Sequence, residues 1–287
     1  MKEESLLAET RRLLRRFNLR ARKRLGQHFL IDNEVLQQIL SAAELTTDDI
    51  VMEIGPGLGI LTRELAQRAK QVMAVELDDK LADFLRQEMA SFPNVRVISG
   101  DILKIDPSDL LPAPERYKLV ANLPYYITSP VLRHFLEATL KPDLIVVMVQ
   151  KEVAEAIAAG PGKRSLLSIS VQFYGRPTII SKVPAESFYP APEVDSAILR
   201  IDLYPEPAVA VDDVDSFFKT VRAGFASPRK QLANSLSYGL RLPKTDVINV
   251  LEKANISSQR RAETLTLEEW AQLRRAYAQW QGKKMAC

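Results

Sequence analysis

Residues 53–59 read E-I-G-P-G-L-G and follow the apolar run I-V-M-E-I at 50–54. Glycines placed there let the backbone turn tightly and approach a ligand closely, and a helix starting behind them offers free N–H groups. The spacing is not the dinucleotide fingerprint G-x-G-x-x-G, because the third glycine comes one residue early, and no Lys-Ser/Thr pair follows as in a P-loop. NAD and ATP are therefore poor first choices. Glu76 stands 21 residues after Gly55, and Asp101 lies in S-G-D-I. A carboxylate at the first position can accept hydrogen bonds from both hydroxyls of a ribose. One at the second can accept from the amine of an adenine. Taken singly, each acid reads as a solvated strand end. Three such signals on three successive strand ends point to a nucleoside site.

Residues 122–127, N-L-P-Y-Y-I, end a fourth apolar run, Y-K-L-V-A. The Asn122 side-chain oxygen can accept a hydrogen bond from an exocyclic amine. Pro124 fixes its own φ and holds Leu123 extended, which aims the Leu123 carbonyl at the same amine. Tyr125 offers a face on which a base can stack. In isolation the segment also reads as a β-turn with packed tyrosines. Beside the glycine loop and the two acids it reads as a holder for a flat, amine-bearing ring.

The elements needed to position these residues are legible in the hydrophobic pattern. Strand-like runs at 50–54, 71–77, 95–101, 117–123 and 143–150 alternate with helical periodicity at 58–69, 80–90, 129–140 and after 150. Alternating β and α argues for a parallel sheet covered on both faces, and ligands of such sheets bind beyond the carboxyl ends of the strands. LLSISVQFYG (166–175), TIISKV and VDSAILRI are then read as strands that finish an antiparallel edge. YPEPAVAVDD at 204–213 marks a linker, and everything beyond it has helical periodicity. The domain reading is a basic arm at 1–24, a Rossmann-like α/β catalytic domain at 25–205 and a small all-α domain at 206–287.

The chain of 287 residues is 46% hydrophobic and 26% charged, as ordinary water-soluble proteins are. Its longest apolar run, LIVVMV, is far too short for a membrane helix. The single cysteine, Cys287, excludes an internal disulfide and a cysteine metal cluster, and the two histidines, His28 and His134, are too few for a histidine-built zinc site. A metal-free protein of the reducing cytoplasm is expected. The net charge of +3 is uneven: residues 1–24 carry nine Lys and Arg against three Glu. That arm reads as a plain amphipathic helix, with Leu6, Leu7, Leu13, Leu14 and Phe17 on its apolar side, or as a phosphate contact, while three early glutamates and the lack of a cleavage-like small-residue motif count against a targeting peptide.

The E-x-G-x-G-x-G form resembles the nucleoside-binding loop of S-adenosylmethionine-dependent methyltransferases. N-L-P-Y resembles the (Asn/Asp/Ser)-Pro-Pro-(Tyr/Phe) signature of those that methylate amines. With RLGQHFLID (24–32), NLPYYITSPV (122–131) and ESFYPAPEVDSAILRI (186–201), the chain resembles the ribosomal RNA adenine N6,N6-dimethyltransferases from about residue 20 almost to its end. The resemblance is to the bacterial branch acting on two adjacent adenines near the 3′ end of small-subunit (16S) rRNA. It implies S-adenosylmethionine as cofactor and rRNA in a pre-ribosomal particle as partner, for a cytoplasmic monomer with no membrane or metal. It further implies that Gly55 lies against the cofactor, Glu76 binds its ribose and Asp101 its adenine, while His28 and Leu30 close over it. Bacterial members usually carry Asn in place of His28, so a histidine bonded within its own loop stands as the other reading there. Asn122, Leu123, Pro124 and Tyr125 would hold the target adenine, Asn122 would also touch the cofactor, and Phe188 would stack on the adenine's other face, unless it is a core anchor. Arg222, Arg229 and Lys230 would meet RNA phosphates, though S-P-R-K is sparser than the family's basic cluster. Methyl transfer from a sulfonium needs positioning and desolvation more than a general base. The rival readings are a large-subunit (23S) rRNA methyltransferase conferring macrolide resistance, a non-catalytic ribosome-assembly factor and a DNA adenine methyltransferase.

Overall fold

In the computed structural model, which describes residues 4–19, 26–111 and 116–285, the chain divides into two units, Met1–Glu155 with Arg176–Leu203, and Ala156–Gly175 with Tyr204–Cys287. Residues 20–24 of the basic arm, Leu25 of the G-Q-H-F-L motif's approach and Cys287 lie outside the described residues.

The first unit carries α1 (Leu6–Arg16), β1 (Phe29–Leu30), α2 (Asn33–Ala43), β2 (Ile50–Ile54), α3 (Ile60–Ala66), β3 (Gln71–Glu76), α4 (Asp79–Glu88) and β4 (Val95–Ser99). It continues with α5 (Pro107–Leu110), β5 (Tyr117–Asn122), α6 (Thr128–Glu137) and β6 (Leu144–Gln150). Strand order among the described residues is β4-β3-β2-β5-β6, followed by two later strands. All pairs from β4 to β6 are parallel. β2 is buried along its whole length and β6 along all but Gln150, as expected of strands covered on both faces. The order reverses at β2: the chain runs outward through β3 and β4, then returns to place β5 on the other side of β2. That reversal opens a crevice beyond the carboxyl ends of β2 and β5. Glu53, Gly55, Glu76, Asp101 and Asn122 all belong to strand ends on this rim.

Helix α1 is neither free nor simply solvated. Ser5 caps it by accepting from the Ala8 amide at 3.3 Å. Leu13 is buried in a cluster with Phe29, Leu58, Leu81 and Phe84, and the Phe17 ring meets Phe84 edge-on at 4.6 Å. Helix α2 was not anticipated from the sequence, although Asp32 caps it and Val35, Leu36, Ile39, Leu40 and Ala43 line its buried side.

The segment 166–175 differs from its strand reading. It forms α8 (Leu166–Tyr174), after α7 (Lys151–Ala158), and only then does β7 (Gly175–Val183) begin. Buried Ile169, Val171 and Phe173 imitate a period of two. A capping box decides against a strand: the Ser168 amide donates to Ser165 Oγ at 3.2 Å and the Ser165 amide to Ser168 Oγ at 2.8 Å. The last strands are β8 (Phe188–Tyr189) and β9 (Ser196–Leu203). β9 runs antiparallel to β6, with β7 beyond it at the sheet edge.

The second unit is helical, with α9 (Val214–Gly224), α10 (Leu232–Leu240), α11 (Lys244–Lys253) and α12 (Leu267–Met285). Ile169 and Phe173 of α8 pack into its core with Phe217, Phe218 and Trp270. Residues 156–175 therefore cluster with these helices, whereas the sequence reading kept them with the sheet. No described helix is long and apolar enough to cross a membrane.

Candidate active site

The glycine loop is built from positive φ. Gly55 (φ +67), Gly57 (+58) and Gly59 (+79) all occupy conformations that side chains rarely adopt. A Cβ on Gly57 would stand 3.1 Å from the Phe29 ring, and one on Gly59 only 2.5 Å from Leu85. The loop is tied to the next strand end through Glu76, which accepts from the Gly57 amide at 3.1 Å and the Asp78 amide at 2.9 Å. Glu76 is 5% exposed; its burial pushes the carboxyl above its ordinary range, opposed by those amide bonds. Asp101 lines the same pocket while capping a short turn through the Leu103 amide at 3.1 Å.

Glu53 is a site residue that the sequence reading passed over, although it is the first letter of the motif. It is 2% exposed, lines the pocket, and its Oε2 has no hydrogen-bond partner among the described residues. Burial pushes its carboxyl up to about 8, with Glu76 adding to the effect and Thr62 opposing it. Tyr126 was also missed: it lines the pocket yet is 53% exposed, and Gly26 lies beside its ring. Only its position next to Tyr125 in N-L-P-Y-Y could have marked it.

Asn122 ends β5, and its Nδ2 donates to the His28 carbonyl at 3.0 Å. That bond turns Oδ1 the other way and leaves it as the acceptor. The Leu123 amide donates to the Met148 carbonyl at 3.2 Å, which anchors the turn to β6. Pro124 packs against the glycine loop, 3.5 Å from where a Gly55 Cβ would be. The Tyr125 hydroxyl bonds Ser196 Oγ at 2.7 Å, and the His28 ring covers one of its faces at 5.8 Å.

The F-L of G-Q-H-F-L pairs with the F-Y of F-Y-P-A-P as β1 against β8, with Leu30 opposite Phe188 and Phe29 opposite Tyr189. Asp32 fastens the same two segments by accepting from Ser187 Oγ at 2.8 Å. His28 Nδ1 donates to the Pro190 carbonyl at 2.7 Å, so its ring is held by the protein while it lines the pocket. Leu30 lines the pocket and is also buried in the sheet core. Phe188 does not line the pocket; at 3% exposure it packs in that core with Leu30, Val183 and Ile198. Arg222, Arg229 and Lys230 belong to the helical unit, exposed at the end of α9 and in the turn before α10.

The residues gathered in unit 1 suit a nucleoside bearing a cationic group. The Glu76 carboxylate and Asp101 supply acceptors at two strand ends, Glu53 Oε2 at a third has no partner among the described residues, and the backbone of Gly55 and Gly57 lines the same pocket at φ values that side chains rarely adopt. Asn122 offers a further acceptor in the same pocket lining.

Comparison with known proteins agrees with that chemistry. A family model, "Ribosomal RNA adenine dimethylase", matches residues 18–273. The ribosomal RNA small subunit methyltransferase A of Dehalococcoides mccartyi (strain CBDB1) is 54% identical over 276 residues, 96% of this chain and 94% of that protein. Its counterpart in Alkaliphilus metalliredigens (strain QYMF) is 43% identical, over 94% of this chain and 96% of that one. Among solved structures, a dimethyladenosine transferase from Plasmodium falciparum has a TM-score of 0.75 at 25% identity, covering 88% of this chain and 98% of its own. A 23S rRNA methyltransferase has a TM-score of 0.67 at 32% identity, covering 86% and 98%. With hydrogen-bond acceptors gathered on its rim and this match along nearly its whole length, the chain belongs to the ribosomal RNA adenine dimethylase family.

Proposed function

We propose that the protein dimethylates N6 of two adjacent adenines near the 3′ end of small-subunit (16S) rRNA in a pre-ribosomal particle, using S-adenosylmethionine, in the cytoplasm and as a monomer. The observation that carries the reading is the Asn122 amide, which lines the pocket with the glycine loop and whose Nδ2 is committed to the His28 carbonyl, so that Oδ1 is the group's acceptor. The names of the relatives from Dehalococcoides and Alkaliphilus support the small subunit as substrate.

Bound S-adenosylmethionine supplies a methyl on a sulfonium, an electrophile with a neutral leaving group. Glu76 and Asp101 would hold its ribose and adenine, Gly55 and Gly57 would lie against it, and Leu30 would cover it. Asn122 Oδ1, with the Leu123 carbonyl, takes the N6–H bonds of the target base. Such bonds favour a pyramidal nitrogen whose lone pair is free, and they set its direction. Tyr125, held by Ser196 and backed by His28, gives the base a rigid wall on the face that His28 leaves open. Phe188 acts on the base through the β1–β8 pair it stabilises, because its ring is covered. Arg222, Arg229 and Lys230 provide exposed cations for RNA phosphates.

A 23S rRNA methyltransferase at 32% identity favours the second reading, large-subunit RNA as substrate. Labelled methyl transfer to unmethylated small subunits and to naked large-subunit RNA separates the two, with the product nucleoside identified by mass. N6,N6-dimethyladenosine in the small subunit is expected; transfer to large-subunit RNA alone would overturn the proposal. Asn122→Ala should lower kcat by about 10²–10³-fold, the usual cost of one transition-state hydrogen bond, and leave cofactor affinity nearly unchanged.

A further inference from the structure

Helix α1 presents two different flanks. Buried Thr10 and Leu13 turn one side onto the unit, which fixes its rotation. At 100° per residue, Glu9, Arg12 and Arg16 fall on one flank and Arg11, Leu14 and Arg15 on the other. The first flank is largely satisfied from within: Glu9 pairs with Arg63 at 2.8 Å, Arg12 with Glu4 at 3.2 Å, and Arg16 lies over the Phe17 ring. On the second flank neither Arg11 nor Arg15 meets a carboxylate among the described residues, and both are exposed.

That second flank forms one wall of a groove whose other wall is Tyr189 and Pro190. The Arg11 guanidinium stands 5.2 Å from the centre of the Tyr189 ring, and Asn18 lines the groove with Arg15. None of the described lining residues is acidic. Pro190 also joins the groove to the pocket, since its carbonyl holds His28 Nδ1 and His28 lines the pocket beside Asn122 and Tyr125. The groove and the pocket therefore share the bonded pair His28 and Pro190 as a common wall.

We infer that Arg11 and Arg15, with Asn18 and Tyr189, bind the backbone phosphates of the RNA strand flanking the target adenine. The inference rests on the rRNA reading and assigns to the amino-terminal helix a binding role in that reaction. Guanidinium forks match phosphate oxygens in pairs, and an arginine already stacked on a tyrosine loses less freedom when it binds. Asn18 adds a neutral amide donor.

The test compares Arg11→Ala/Arg15→Ala with Arg12→Ala/Arg16→Ala, which removes the same charge from the other flank. Binding to unmethylated small ribosomal subunits is measured over a range of salt, and methyl transfer with subunits and cofactor varied in turn. The first variant should raise KM for subunits about tenfold. It should also make the log–log salt slope shallower by about 0.7 for each phosphate no longer bound. Its kcat and its KM for S-adenosylmethionine should equal those of the wild type. Equal behaviour of the two variants, or a loss confined to kcat at saturating subunits, overturns the inference and leaves the rRNA reading standing. Failure of the wild type to methylate small subunits overturns both.

Discussion

Glu53→Gln is expected to change how stability depends on pH, with a sign that follows from burial. The carboxyl is 2% exposed and has an ordinary value of 4.5, raised to about 8 in the folded chain chiefly by desolvation. Below pH 4.5 it is neutral whether folded or unfolded, and its contribution to stability is complete. As pH rises, the unfolded chain ionises first and gains hydration that the folded chain cannot match. Stability attributable to Glu53 then falls by about 1.4 kcal/mol per pH unit until the folded group ionises near 8, a loss of roughly 5 kcal/mol. Gln keeps the shape and neutrality but does not titrate. The variant should therefore match the wild type near pH 5 and exceed it by several kcal/mol near pH 8, both without cofactor. Trp270 and Trp280 both lie in the helical unit, so tryptophan fluorescence does not report on this site. Hydrogen exchange of the Ile50–Ile54 amides does, and comparing the proteins at one pH cancels the intrinsic exchange rate. A wild-type-minus-variant difference that stays flat or rises between pH 5 and 8 would refute the reasoning.

Gly57→Ala forces a side chain into φ +58 with its Cβ 3.1 Å from Phe29, and should cost about 1–2 kcal/mol of stability and weaken S-adenosylmethionine binding by calorimetry. Asp32→Ala removes the α2 cap, where the side chain accepts from the Glu34 and Val35 amides, and also the bond from Ser187. It should lower thermal stability by about 1–2 kcal/mol. Gly224→Ala would put a Cβ 2.2 Å from the Trp270 ring, and should destabilise the helical unit by about 1–3 kcal/mol, seen as an earlier tryptophan fluorescence transition in urea.

Much of the architecture was legible because it is encoded locally. Five strand-like runs alternating with helical periodicity are enough to call for a parallel sheet, and glycines at 55, 57 and 59 announce a turn that only glycine tolerates. Strand ends then put Glu76, Asp101 and Asn122 on one rim, since successive parallel strands all point their carboxyl ends the same way. Local pattern failed where two periodicities overlap. Ile169, Val171 and Phe173 alternate like a strand, and the Ser165–Ser168 capping box, equally local, went unread.

Interactions between distant parts of the chain decided the rest. The direction of the Asn122 amide depends on the carbonyl of His28, 94 residues away, and the His28 ring on Pro190, 162 residues away. Phe188 is covered because β8 pairs with β1, a register that neither two-residue strand specifies alone. The upward push on the Glu53 carboxyl follows from the atoms that enclose it, and no residue type announces that. The amino-terminal helix shows its apolar side in its own spacing. Which of its flanks faces Tyr189 was set by what Leu13 and Phe17 found to pack against. Periodicity and turn chemistry are properties of neighbours in sequence; amide orientation, proton occupancy and the choice of exposed flank are properties of neighbours in space.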